Sequence, residues 1–206
     1  MLKQLLITLA LLASSGLSFV AHASSSPVDV VKIINFDCAV CKASNHMDGP
    51  IKAAVESAGG IFDIAPIPRP DTNWRERFYY VLRSYGPSVE RTVRDSFFAG
   101  SQEYNYPLMD IPEIMDWLRE NTHLSGINWA QVLVKVKSPA SLEPVNRALQ
   151  LVAESGARLT PTYILIRNGR ILNSYDIASV PNQNLSSLRE TVLEAVNKAN
   201  LSNSEK

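Results

Sequence analysis

The sequence predicts a mixed α/β domain that is interrupted by a helical block. An apolar, β-branched run, VDVVKIINF, occupies residues 28–36 and precedes a stretch of helical character. Such a run is typical of a strand buried on both faces. A second α/β segment covers residues 141–197, where a helix, a strand hairpin and a last helix follow one another. Residues 69–137, between the two segments, are mainly helical in pattern.

In the first segment, the helix should run from Cys38 to Ala58 and end at Gly59-Gly60. Pro50 lies in its middle, removes a backbone donor and clashes one turn back, so we expect a kink there. Residues 61–68 form the second candidate strand. Its two prolines place its last residues at a sheet edge.

The helical block contains three predicted helices, at residues 74–85, 88–99 and 110–120. Residues 100–107 are polar and aromatic, which predicts a loop. Residues 128–137 fit a helix or a strand, and periodicity does not decide between them.

In the second segment, residues 141–155 form an amphipathic helix, with apolar residues at i, i+3, i+7 and i+10. Strands at residues 162–167 and 171–175 are joined at Asn168-Gly169, a hairpin signal. A final amphipathic helix covers residues 185–197, and a polar tail follows at 200–206.

The two cysteines of the chain, Cys38 and Cys41, stand in a C-x-x-C motif at the predicted start of a helix. The unpaired N–H groups and the dipole of a helix N-terminus favour a thiolate there. C-x-x-C sites can lower a cysteine pKa from about 8.5 to roughly 3.5–7.5. Two intervening residues let the second thiol attack a mixed disulfide made by the first. We therefore expect Cys38 to be the exposed nucleophile and Cys41 the buried resolving thiol.

Two metal sites are the alternatives to redox chemistry. Structural zinc needs about four Cys or His ligands, but only His46 and His123 remain outside the N-terminal segment. A copper site is the second alternative, because soft sulfur ligands suit Cu(I). Its ligands would be Cys38, Cys41, His46 and Met47. A His and a Met on a helix are more often surface and core residues, so redox chemistry is favoured and no metal site is predicted.

The N-terminus predicts export. Lys3, an apolar run and the small-x-small sequence Ala21-His22-Ala23 are typical of a signal peptide at residues 1–23, cleaved after Ala23. The apolar part is shorter than the roughly 20 residues needed to span a membrane. Without Lys3, 19 basic residues face 20 acidic ones, so no charge excess favours nucleic-acid binding.

A Thr160-Pro161 pair lies directly before the TYILIR strand, where a proline fits a strand's first residue. The order strand, C-x-x-C helix, strand, helical block, helix, Thr-Pro, hairpin and helix resembles the thioredoxin fold. With its inserted helical domain, it is similar to the DsbA family of exported thiol:disulfide oxidoreductases. The thioredoxin-like domain would comprise residues 28–68 and 138–199, and the insertion residues 69–137.

The resemblance implies that Cys38 is the nucleophile, that Cys41 resolves, and that Pro161 is cis beside them. The backbone at Thr160 would pair with an extended substrate segment. The insertion would shape an apolar groove, which Tyr104, Tyr106 and Met109 would line unless they are core residues.

The expected substrates are unfolded or partly folded exported proteins, and the expected compartment is the periplasm. A membrane redox partner would recycle the site. A monomer without a cofactor is expected, because residues 24–27 leave no room for the N-terminal dimerisation domain of exported isomerases.

Three departures from the family pattern, together with the charge of Asp37, bear on redox potential. Ala39-Val40 replaces the common Pro-His between the cysteines, which removes a side chain that stabilises the thiolate. Lys32 replaces a buried acid of many relatives, and would favour the thiolate unless its charge reaches solvent. Asp37, next to Cys38, would oppose the thiolate. Thr160 is more typical of isomerases and reductases.

The direction of electron flow therefore stays open between an oxidase and a reductase or isomerase. The alternative of a different class is a non-enzymatic thioredoxin-like binding module, either a chaperone or a copper carrier.

Overall fold

The computed structural model describes residues 26–201. The signal peptide predicted at residues 1–23 and residues 202–206 of the predicted tail lie outside this range. The strands are β1 (Asp29–Ile34), β2 (Phe62–Pro66), β3 (Thr162–Arg167) and β4 (Arg170–Asp176). They form a four-stranded mixed sheet in the order β2-β1-β3-β4. Strand β1 is parallel to β2 and antiparallel to β3, which is antiparallel to β4.

The predicted helical block is confirmed, because α3 to α6 all lie between β2 and α7 in the chain. The residues that the structure describes contain no helix long and apolar enough to cross a membrane. The helices are α1 (Ala39–Ala43), α2 (Asp48–Ser57), α3 (Trp74–Arg83), α4 (Pro87–Gln102), α5 (Ile111–Asn121), α6 (Trp129–Lys137), α7 (Glu143–Ser155) and α8 (Leu185–Leu201).

Strand β1 is covered on both faces, as its apolar sequence predicts. Val30 packs in a cluster with residues of α2 and α8, whereas Ile33 packs against α7 on the opposite face. Beyond the end of β1, Phe36 enters the core of the helical block, where its ring makes edge contacts with three other aromatic rings. The segment before the cysteines is thus held between the sheet and the insertion.

The helix after the cysteines is interrupted one turn earlier than predicted. A 3₁₀ turn at Ser44–Met47 separates α1 from α2, and Pro50 lies in the first turn of α2. Proline has no N–H to donate to the carbonyl four residues earlier, here His46, so the α-helical pattern fails before the proline and not at it.

The undecided segment at residues 128–137 is helix α6. The Asn128 side chain caps it by accepting a hydrogen bond from the Gln131 N–H at 3.1 Å. Val132 and Val136, one helical turn apart, are its buried residues. Burial of one face thus accounts for a helix here, where the periodicity of the sequence did not distinguish a helix from a strand.

Two helices, α4 and α8, extend by a turn beyond their predicted ends. Helix α4 continues through Gly100 to Gln102, so the predicted loop begins later. Gly100 serves packing, since a Cβ there would lie 2.9 Å from Cε2 of Trp117 and 3.0 Å from Cδ1 of Leu108. Helix α8 extends to Leu201, so the first two residues of the predicted tail are helical. The domain boundaries given above stay predictions.

Gly100→Ala should lower the free energy of unfolding by about 1–3 kcal/mol, because the methyl group overpacks the Trp117 contact. Gly49→Ala is the matched control, since that glycine is helical and nothing lies within 4 Å of its Cβ position. The control should change the free energy of unfolding by less than about 1 kcal/mol, because Gly49 lies in the first turn of α2 and precedes Pro50. Urea unfolding measures both, and equal effects in the two variants would contradict the packing role.

Candidate active site

The two cysteines lie at the start of α1, beyond the end of β1. Cys38 is the N-cap residue, and its Sγ accepts a hydrogen bond from the Cys41 N–H at 3.2 Å. Cys38 is partly exposed and Cys41 is fully buried, and both are free thiols. The Cys38 sulfur is therefore accessible to a reactant, whereas the Cys41 sulfur is shielded from solvent.

The environment separates the acidities of the two thiols. A hydrogen bond from Cys41 is the largest cause that lowers the pKa of Cys38, to about 6, with help from the backbone N–H groups of Val40 and Cys41. Burial raises the pKa of Cys41 well above its ordinary value. Ala39 and Val40 contribute no side-chain donor, so the Cys41 thiol and the backbone N–H groups at the helix start take that role.

The loop before β3 forms the other side of the site. The Thr160–Pro161 peptide bond is cis, as the resemblance implies. The Cys38 thiol donates a hydrogen bond to the Thr160 carbonyl at 3.2 Å. Residues 122 positions apart thus meet because β1 and β3 are neighbours in the sheet.

A groove of about 470 Å³ adjoins Cys38 and Thr160. Its apolar wall comes from β1, the segment after β2, α7 and the loop before β3. The apolar side chains are Ile33, Ile67, Val152, Ala157 and Leu159.

Tyr104, Tyr106 and Met109 are not among the residues that line this groove. The rings of Tyr104 and Tyr106 instead contact Trp117, with centroids 5.4 and 5.1 Å away. Tyr104 is 66% exposed, so it is a surface residue and not a core one. The Met109 sulfur accepts a hydrogen bond from Arg69 at 3.1 Å.

The Asp37 carboxylate, which the sequence places next to Cys38, is paired with two guanidinium groups. Arg69 donates to it from Nε at 2.6 Å, and Arg75 donates two hydrogen bonds of 3.0 Å. Burial opposes ionisation, but the hydrogen bonds from Arg69 and Arg75 hold the pKa of Asp37 well below its ordinary range. Sequence reasoning missed both arginines, which lie 32 and 38 positions along the chain.

Lys32 neither reaches solvent nor stands free beside the thiolate. Its side chain is fully buried, and Nζ donates to both oxygens of Asp48, at 2.8 and 2.9 Å. The Tyr163 hydroxyl donates to the same carboxylate at 2.9 Å. Burial lowers the pKa of Lys32, while the Asp48 carboxylate acts against that shift. Lys32 is therefore held in a buried ion pair, and Asp48 and Tyr163 are partners that the sequence did not indicate.

The residues named for a copper site do not share one environment. Met47 is buried in the protein at 3% exposure, and His46 is exposed beside cavities that Cys38 does not line. Within residues 26–201, no group of three or more His, Cys, Asp or Glu side chains is arranged to hold a metal ion.

This combination of a mixed four-stranded sheet, a C-x-x-C helix start, a facing cis-proline and inserted helices defines a DsbA-like thioredoxin fold. No family model and no curated protein matches the chain.

Solved structures of DsbA proteins do match it, over most of its length. Pseudomonas aeruginosa DsbA is 20% identical, with a TM-score of 0.66 over 84% of this chain and 86% of that one. SrgA from Salmonella enterica serovar Typhimurium is 20% identical, with a TM-score of 0.61 over 85% and 93%. A Proteus mirabilis DsbA variant with a non-covalently bound peptide is 14% identical, with a TM-score of 0.62 over 84% and 89%. These likenesses establish the fold.

Alkylation of the reduced protein by iodoacetamide should follow the Cys38 thiolate. The rate should rise as the pH increases through about 6 and level off above it, because the thiolate is the reactive form. Cys41 should stay unmodified, and Cys38→Ser should abolish the reaction. A half-maximal rate near the ordinary thiol pKa of about 8.5 would contradict the hydrogen-bonded site.

Lys32→Met should lower the free energy of unfolding by about 3–5 kcal/mol, because it leaves the buried Asp48 carboxylate unpaired. In the double variant, Asp48→Asn keeps an oxygen acceptor for Tyr163 and removes that charge, so part of the loss should return. Lys52→Met, in a pair whose side chains are 53% and 50% exposed, is the control and should cost less than about 1 kcal/mol. Urea unfolding measures the free energy of unfolding of each variant. Equal losses in Lys32→Met and Lys52→Met would contradict a tightly paired, buried Lys32 ammonium.

Proposed function

We propose that this protein is a thiol:disulfide oxidoreductase that exchanges the Cys38–Cys41 disulfide or dithiol with protein substrates. One observation carries the proposal: a partly exposed, acidic Cys38 thiol lies at a helix start, between the buried Cys41 and the Thr160 carbonyl. A thiol is a good nucleophile and a good leaving group when its pKa lies near or below the ambient pH.

As a disulfide donor, the protein reacts in two exchanges. A substrate thiolate attacks Cys38 Sγ, which forms a mixed disulfide and releases Cys41 as a thiolate that takes up a proton. A second substrate thiolate then attacks the substrate sulfur of the mixed disulfide, and Cys38 leaves as a thiolate. The substrate loses two electrons to the protein, so a redox partner that accepts two electrons must restore the disulfide.

In the reductive direction, the same groups act in reverse order. The Cys38 thiolate attacks a substrate disulfide and releases one substrate thiolate. Cys41 then loses its proton, attacks Cys38 Sγ and releases the second substrate thiolate. The substrate gains two electrons, and a reductant must then return the protein to the dithiol.

The proposed substrates are unfolded or partly folded exported proteins. An extended segment would pair with the backbone at Thr160 and place an apolar side chain in the adjoining groove. The peptide bound to the Proteus mirabilis DsbA variant, PWATCDS, contains a cysteine, which supports binding of a cysteine-containing segment by this fold.

The proposed setting is the periplasm, reached through a signal peptide cleaved after Ala23. A membrane protein would be the redox partner, and the mature chain would act as a monomer. Residues 69–137 would be the insertion in a domain made of residues 28–68 and 138–199.

The decisive test is the redox equilibrium of the Cys38–Cys41 couple in a glutathione series. A potential near or above about −150 mV would define a disulfide donor, whereas a value near about −250 mV would define a reductase or isomerase. Cys38→Ser should abolish exchange with a dithiol peptide. Cys41→Ser should accumulate a mixed disulfide with a peptide that carries a disulfide, because no resolving thiol remains to release it. A folded protein without a reversible couple would overturn the proposal and favour the binding module.

A further inference from the structure

The residue before the nucleophile carries a charge that ought to hinder it. A carboxylate next to a thiol disfavours the thiolate, because like charges repel. Asp37 directly precedes Cys38 and also lines the groove beside it. Its charge is nevertheless balanced on two sides, by Arg69 from the segment after β2 and by Arg75 from α3.

Arg75 is held in place by the insertion. Its side chain is 2% exposed, and it donates to Glu76 at 3.1 Å and to the Ser101 hydroxyl of α4 at 2.7 Å. Its guanidinium carbon also lies 5.1 Å from the centroid of the Phe36 ring. Burial raises the pKa of Glu76, so the second carboxylate of this cluster is the one more easily neutralised.

Arg69 joins the same carboxylate to the loop before α5. Its Nη1 donates to the Pro107 carbonyl and to the Met109 sulfur, both at 3.1 Å. The Gln102 side chain of α4 donates to the Phe36 carbonyl at 2.8 Å. Contacts made by Asp37 and by the Phe36 carbonyl therefore connect the segment Phe36–Cys38 to the insertion.

We propose that Arg69 and Arg75 are positioning residues that neutralise the Asp37 carboxylate, hold the Cys38 turn against the insertion and thereby favour the Cys38 thiolate. This inference rests on the proposed function only for its consequence: a more stable thiolate makes the disulfide form a stronger oxidant. Neither arginine makes a hydrogen bond with Cys38 among the described contacts, so both act through Asp37.

Several other groups also face this cluster, and they set the background for any pH dependence. They are Cys41 beside the nucleophile, Glu76 of α3, Asp71 near Arg69, and Arg158 at the edge of the groove. None of them is altered in the variants below, so their contributions stay constant.

The test compares Arg69→Gln with Asp37→Asn in the reduced protein, by the pH profile of Cys38 alkylation. Loss of the Arg69 charge should reduce the thiolate-to-thiol ratio about threefold, and loss of the Asp37 charge should increase it by about the same factor. Arg83→Gln is the matched control, because the Arg83–Asp63 pair has similar exposure, 31% and 42% against 27% and 33%. The control profile should match that of the unaltered protein.

Opposite shifts are the diagnostic result, because damage to the structure would move both variants the same way. The redox potential should fall in Arg69→Gln and rise in Asp37→Asn. An unchanged alkylation profile in folded Arg69→Gln, or shifts of one sign, would overturn the inference. The alkylation profile is measurable even if the cysteines form no reversible couple, so failure of the proposed function remains distinguishable.

Discussion

The central position of β1 is the constraint on which the site depends. Because β1 pairs in parallel with β2 and antiparallel with β3, its end lies beside the start of β3. That neighbourhood brings the Thr160 carbonyl within hydrogen-bond distance of Cys38. The parallel pairing with β2 leads the chain into the segment that carries Arg69. Cys38, the Thr160 backbone and the Arg69 guanidinium group are thus placed by strand pairing.

Because β1 is buried on both faces, a charged residue within it reduces the stability of the fold unless it has partners. Burying an ammonium is unfavourable unless it is paired and hydrogen-bonded. Lys32 meets this requirement through Asp48, which in turn accepts a hydrogen bond from Tyr163 on the neighbouring strand. Asp37 is balanced in the same way, by Arg69 and Arg75.

The two residues between the cysteines do not by themselves set the environment of the Cys38 thiol. Ala39 and Val40 carry no donor, yet the backbone of the helix start still donates to the Cys38 sulfur. Asp37 places a negative charge next to Cys38, and Arg69 and Arg75 compensate this charge in the structure. Both features depend on groups that the C-x-x-C motif does not contain.

Much of the fold was predictable from local pattern. The buried strand, the hairpin at Asn168-Gly169 and the helical block all follow from hydrophobic period and turn residues, which are properties of neighbouring positions. Errors arose where a distant contact decided the outcome. Gly100 is typical of a helix end, but it lies within α4 because Trp117 packs against it. Residues 128–137 became a helix because one face could be buried.

The sequence by itself determined the order of the elements and the position of the two cysteines at a helix start. It also placed the Thr-Pro pair before its strand. Only the tertiary structure decided which charges meet. Arg69 and Arg75 are separated from Asp37 by more than 30 positions, and Lys32 meets Asp48 across a strand and a helix. The interaction between two charges depends on the distance between them and on how deeply they are buried. Both quantities are defined only once the strands and helices have packed.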